Sequence, residues 1–209
     1  MTPSPPAPAP ISRDVLQDDP LVGAGGVDTI VIGLDASPLR IGYAIMIVQT
    51  GELLASGTMH VSNAGDDLRN RQAAWRHIMA ESNRVVDSSQ IVCVGLEEAY
   101  VRFKRQAILG ALTIGNLEAF ALRSYPWILV HRLQPTEWRK LIGIKQGGKE
   151  PPMAYARMIL PDLDDQDEAD AICIARALTI VVDPGAYCAL QDSTQQARRT
   201  TRPPPEGST

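Results

Sequence analysis

The sequence predicts a mixed α/β domain, and three observations carry that prediction. Short β-branched runs recur early in the chain, a long amphipathic segment follows them, and strand-like and helix-like segments alternate from there to the end of the patterned region. Residues 29–35 form a β-branched run that suits a buried strand, and residues 40–48 and 52–61 continue as two more. Turn residues at Ser37-Pro38 and Thr50-Gly51 separate them, which predicts a three-stranded antiparallel meander. Over residues 66–86, Leu68, Ala73, Trp75, Ile78 and Met79 recur at helical spacing and predict a crossover helix. Residues 91–97 return as a fourth strand, 106–123 as a second helix and 127–132 as a fifth strand. A short helix over 135–141, a basic glycine-containing loop over 143–149, a helix over 151–159 and a closing helix over 167–181 complete the pattern. Helical crossovers set the fourth and fifth strands parallel to the first.

A length of 209 residues suits one domain with tails, and a hydrophobic fraction of 44% is enough to build a core. Pro3, Pro5, Pro6, Pro8, Pro10, Gly23, Gly25 and Gly26 make residues 1–26 a flexible tail; the polar stretch 191–209, with Pro203, Pro204 and Pro205, is a second, disordered one. The folded domain is expected over residues 27–190. The longest apolar stretch, residues 41–48, is far short of the roughly 20 residues that cross a bilayer. With no basic segment and apolar run at the N-terminus either, the expected compartment is the cytoplasm. Cys93, Cys173 and Cys188 are widely spaced and suit reduced, buried thiols better than a disulfide frame or a zinc knuckle.

The formal charge of −4 disfavours a generic nucleic-acid coat, but its distribution is uneven. Arg102, Lys104, Arg105, Arg123, Arg132, Arg139, Lys140, Lys145 and Lys149 face only Glu118 and Glu137 within residues 102–149, while acids crowd residues 162–170. A positive surface beside a negative site is the expected result.

Two segments share a grammar: Ile30-Val31-Ile32-Gly33-Leu34-Asp35 and Val92-Cys93-Val94-Gly95-Leu96-Glu97 are each an apolar run, a Gly-Leu step and an acid. On neighbouring parallel strands about 4.8 Å apart, the matching steps would set Asp35 and Glu97 side by side on one face. Glu98 would face the other way. Asp167 and Asp170, three apart, share one face of a helix's first turn. Each acid also has an ordinary reading: a strand-ending turn residue for Asp35, a solvated or salt-bridged strand end for Glu97, and an acidic first turn favoured by the helix dipole for the pair. Taken together in this order, the four suit hard, oxygen-preferring ions, Mg²⁺ first and Mn²⁺ as its substitute. His60, His77 and His131 lack ligand spacing, which disfavours zinc.

These residues resemble a known family. Ile32-Gly33-Leu34-Asp35-Ala36-Ser37 with Gly42-Tyr43 is similar to the first motif of the RuvC-type Holliday-junction resolvases, Gly95-Leu96-Glu97-Glu98-Ala99-Tyr100 to the second, and Asp167-Glu168-Ala169-Asp170-Ala171 to the last. The likeness runs over about residues 30–178. It implies an RNase H-like fold and a metal-dependent endonuclease that resolves four-way DNA junctions, with Asp35, Glu97, Asp167 and Asp170 as its metal-binding catalytic acids. It also implies that Tyr100 stacks on a base near the junction centre and that Lys149 stands near the scissile phosphate. A rim aromatic and a solvated lysine are the alternatives for those two. The usual Asp-Pro-Gly is Asp35-Ala36-Ser37 here, and no clear asparagine follows the second motif; these departures suggest a divergent, phage-type relative.

The chemistry expected is phosphodiester hydrolysis with two ions about 3.5–4 Å apart, bridged by Asp35, and with Lys149 offsetting phosphate charge. Arg102, Lys104, Arg105, Lys140 and Lys145 would grip the DNA arms through phosphates, or else form a solvated basic face. Paired symmetric cuts imply a homodimer. Ile108, Ala111, Leu112, Gly115 and Ala119 recur along the second helix and suit either that interface or an ordinary core face. Three rivals remain: an RNA or flap nuclease of the same fold, a non-catalytic DNA-binding module, and an actin-like or sugar-kinase ATPase. The last would need a later glycine-rich phosphate motif and a longer chain.

Overall fold

The computed structural model describes residues 28–61, 67–86, 90–98 and 104–182. Both expected tails lie outside the described residues, as do Tyr100, Arg102 and Cys188. Strands β1 (Ile30–Ala36), β2 (Arg40–Ile47), β3 (Leu53–His60), β4 (Ile91–Glu97) and β5 (Leu129–Leu133) form one sheet in the order β3-β2-β1-β4-β5. The pairs β1/β2 and β2/β3 are antiparallel, and β1/β4 and β4/β5 are parallel. The helices are α1 (Asp67–Val85), α2 (Lys104–Ser124), α3 (Pro135–Leu141), α4 (Glu150–Arg157) and α5 (Gln166–Val181).

The meander, both crossovers and the closing helix agree with the sequence pattern. The largest shifts are of two residues: the fifth strand starts later than expected, at Leu129, the second helix starts earlier, at Lys104, and the fourth helix ends earlier, at Arg157. Helix α4 begins at Glu150 and carries Pro151 and Pro152 in its first turn, where a missing backbone N–H leaves no helical bond unmade.

Strand alternation gives the sheet two different faces. Ile30, Ile32, Leu34, Ile41, Ile45 and Leu96 pack against α1 and α2, with Trp75, Ile78, Ile114 and Leu117 filling that side. On the opposite face Val31, Ala44, Met46 and Cys93 meet α5, whose buried residues include Ala169, Ala171, Ala175 and Ala177. Here the helix approaches the sheet closely because glycines lie under it. A Cβ on Gly33 would stand 2.4 Å from the Ala171 carbonyl oxygen and the Ala175 nitrogen, and one on Gly42 would stand 2.0 Å from the Asp167 carbonyl oxygen. Gly95 has the Leu178 side chain above it. Only hydrogen at these Cα atoms lets α5 lie this near.

The start of α5 is fixed by Asp165, whose side chain accepts from the Asp167 and Glu168 backbone N–H groups at 3.0 and 3.1 Å. Thr58 on β3 donates to the same cap at 2.7 Å, so the helix end is fastened to the sheet.

Helix α2 turns Ile114, Leu117 and Ala121 to the core and leaves Ile108 and Leu112 about half exposed, at 53% and 52%. Ala111 and Ala119 are exposed as well, and a Cβ on Gly115 would meet nothing within 4 Å among the described residues. The recurring apolar stripe is therefore not a core face. Cys93 and Cys173 are free and buried. Among the described residues no helix is long and apolar enough to cross a membrane.

Candidate active site

Register settles the relation between the first two acids. Gly33 pairs with Gly95 and Leu34 with Leu96 across the parallel β1/β4 ladder, so Asp35 and Glu97 occupy the next positions on adjacent strands. The register shift near Val31 takes up one residue of β4 before these pairs, and the strands stay in phase to their carboxyl ends. Gly42, opposite Asp35 on β2, carries the first turn of α5, which places Asp167 and Asp170 over the same edge.

The electrostatics follow from that crowding. Asp35 has its carboxyl raised well above the ordinary range, first by burial and then by the charges of Glu97, Asp170, Asp167 and Asp165. Burial raises Glu97 to about 7; Asp170 adds to the rise, while the Trp138 hydrogen bond and Arg139 oppose it. Asp170 is raised by burial and by Asp167, against Gln166, Arg139 and Lys149. Asp165 moves the other way: burial would raise it, but bonds from Thr58, the Glu168 backbone and Arg40 hold it below the usual range.

Glu97, Asp170 and Asp167 each have a side-chain partner. Trp138, fully buried in α3, donates its indole N–H to Glu97 Oε2 at 2.8 Å. Gln166 donates to Asp170 Oδ2 at 3.2 Å, while Asp170 Oδ1 is buried with no hydrogen-bond partner among the described residues. Asp167 lies 2.7 Å from Arg40 Nε, and the same guanidinium bonds Asp165. No three acid, histidine or cysteine side chains close into a metal cage among the described residues. Glu98 turns aside, as strand alternation requires, and accepts from Gln134 at 2.7 Å.

The donor set still fits a hard cation. Asp35, Glu97 and Asp170 offer oxygen only, they repel one another, and a buried carboxylate oxygen without a donor is a costly group that an ion would satisfy. Lys149 is exposed at the start of α4, and its charge reaches Asp170. Arg139 acts on both Glu97 and Asp170, stacks over Trp138 at 5.0 Å, and donates to the Gly148 carbonyl at 3.0 Å, next to Lys149. Lys140 and Lys145 are exposed on the same segment. Lys104 and Arg105 open α2, where their side chains are outside the described ones.

Arg40, Trp138 and Arg139 are the site residues that sequence reasoning did not single out. Arg40 sits two residues before Gly42 on one face of β2, a spacing that could have marked it. Nothing in the sequence marks Trp138 as a partner of a residue 41 positions away.

A five-stranded mixed sheet with helices on both faces and acids at the carboxyl edge of its central parallel strands is the arrangement of the RNase H-like fold. No family model and no curated protein matches the sequence. Among solved structures, Thermus thermophilus RuvC in complex with a Holliday junction substrate matches with a TM-score of 0.59 at 18% identity, over 73% of this chain and 93% of that one. Thermus thermophilus RuvC in a second structure matches with a TM-score of 0.55 at 18% identity, over 78% of this chain and 97% of that one. The yeast mitochondrial Holliday junction resolvase Ydc2 gives 0.49 at 8% identity, over 86% of this chain and 89% of that one. The chain has the RNase H-like fold of RuvC.

Proposed function

We propose that this protein is a divalent-metal-dependent endonuclease that resolves four-way DNA junctions. One observation carries the reading: Asp35 and Glu97 project from adjacent parallel strands toward Asp170 of α5, in a shared edge so acidic that burial and mutual repulsion raise all three. Such a set gains most from a cation, and oxygen donors favour Mg²⁺, with Mn²⁺ as its substitute.

Asp35, Glu97 and Asp170 would hold the first ion, and Asp167 would join when a second is bound. A bound divalent ion supplies an activated water and neutralises charge on the phosphate under attack. The chain's own groups do the rest. Trp138 orients Glu97 through one oxygen and leaves the other for a ligand. Lys149 and Arg139 bring positive charge to the rim where phosphate charge must be offset. Lys140 and Lys145, with Arg102, Lys104, Arg105 and Tyr100, would hold the DNA arms by phosphate and stacking contacts.

Junction resolution needs two cuts related by symmetry, hence two copies. The stripe of Ile108, Ala111, Leu112, Gly115 and Ala119 on α2 turns away from its own core, which supports a homodimer built on that helix. Buried, unpaired Cys93 and Cys173 suit work in the cytoplasm.

The test is cleavage of a four-way junction in Mg²⁺ by wild type and Asp35→Asn, with matched linear duplex, flap and RNA–DNA hybrid alongside. Wild type should cut the junction in preference to the others, and the variant should bind it without cutting. Preferred cutting of hybrid or flap would move the assignment to the RNA or flap nuclease; no cutting of any substrate would leave a DNA-binding module.

A further inference from the structure

We infer that Arg40 is a positioning residue that holds Asp167 out of the metal site, so that without DNA the chain takes up one divalent ion strongly and a second only weakly. The inference rests on the nuclease reading and deepens it. Arg40 opens β2 on the face that carries α5, two residues before the glycine on which the Asp167 backbone rests. Its Nε stands 2.7 Å from Asp167 Oδ2, and its Nη2 bonds Asp165, the cap of the same helix. One planar guanidinium thus spans two carboxylates, a task that suits arginine's fork of donors.

The five acids at this edge are consequently not equivalent. Asp165 and Asp167 share a permanent positive charge. Asp35, Glu97 and Asp170 make no such ion pair among the described residues, although the charge of Arg139 reaches the last two, and Asp170 keeps a buried oxygen without a hydrogen-bond partner there. A first ion meets three carboxylates that gain from it. A second must take Asp167 from Arg40 and approach the guanidinium at close range, where like charges repel. The contact is loose enough to yield: Arg40 Nε is close to Asp167 but not aligned as a hydrogen-bond donor, and the Arg40 side chain is 37% exposed.

Mn²⁺ binding to the intact chain, followed by electron paramagnetic resonance without DNA, tests this. Wild type should fill one site, with the second at least about 10-fold weaker. Arg40→Gln should tighten the second site about 10-fold, and adding Asp167→Asn to it should remove the gain. Asp167→Asn alone should leave the first site intact, whereas Asp170→Asn should weaken it. Arg40→Lys, which keeps the charge but cannot span both acids, should tighten the second site less than Arg40→Gln, and it carries the test if the glutamine variant does not fold. An unchanged second site in both Arg40 variants, or a gain that survives Asp167→Asn, overturns the role of Arg40. Wild type binding no Mn²⁺ overturns both this role and the metal-dependent reading, while one tight ion with no cutting of any DNA overturns the nuclease reading alone.

Discussion

On one face of the sheet, α1 and α2 interlock with isoleucine, leucine and tryptophan side chains; on the other, α5 lies on glycine and alanine with little between the backbones. The large-residue face supplies apolar burial and tolerates adjustment, because a lost methyl group can be partly refilled by its neighbours. The glycine face has no such freedom. There the spacing between helix and sheet decides whether Asp170 reaches the edge that holds Asp35 and Glu97. Both faces bury a hydrophobic core, but it is the second that carries the acids.

The most forceful way to break this contrast is Gly42→Val. Its Cβ would fall 2.0 Å from a backbone oxygen of α5, so either the helix start lifts or the sheet bends. Urea unfolding should show a loss of at least about 3 kcal/mol, together with loss of junction cutting. Ile114→Val on the other face should lose only about 1 kcal/mol and keep cutting. Comparable losses from the two would erase the distinction.

Trp138→Phe comes next, since it removes the indole N–H from Glu97 while keeping most of the bulk. Cutting should fall by about 10- to 100-fold in single-turnover assays, with junction affinity held. A variant as fast as wild type would separate α3 from the site.

The raised acids give a sign to the metal-free stability. Glu97 goes from 4.5 to about 7 on folding, and Asp35 and Asp170 are raised as well, so between these limits the folded chain binds more protons than the unfolded one. Stability must then rise as pH falls from about 8 towards 5.5, the reverse of a paired carboxylate. Thermal melts in chelator should show a higher midpoint at pH 6 than at pH 8, and Glu97→Gln should flatten the trend. A midpoint that falls over that interval would contradict the crowding of these acids.

The smallest effect on the folded unit should come from Leu112→Asp on the exposed stripe of α2. The melting temperature should stay within a few degrees of wild type while sedimentation shifts from dimer to monomer. An unchanged sedimentation coefficient would move the dimer interface elsewhere.

Much of this was legible in the sequence, for reasons that can be traced to residues. Period-two apolar runs and turn pairs such as Thr50-Gly51 marked the strands, and the repeated Gly-Leu-acid step marked the alignment of Asp35 with Glu97. The same glycines had a second meaning that the sequence alone did not disclose. Gly33, Gly42 and Gly95 look like strand punctuation until α5 is seen lying over them. Arg40 and Trp138 escaped notice because their partners are distant along the chain: Asp165 is 125 residues from Arg40 and Glu97 is 41 from Trp138. Periodicity reports which face a residue occupies, not which charge stands across from it. The stripe on α2 had two readings for the same reason, and burial decided against the core.

Helix α5, seated on its glycine track, would deliver Asp170 to Asp35 and Glu97 to make a binding site for a divalent ion. Anomalous diffraction from crystals soaked in Mn²⁺ tests it most directly. A peak bounded by carboxylate oxygens of Asp35, Glu97 and Asp170, at about 2.0–2.3 Å, is the predicted result. A peak elsewhere, or none at this edge at millimolar Mn²⁺, would contradict it.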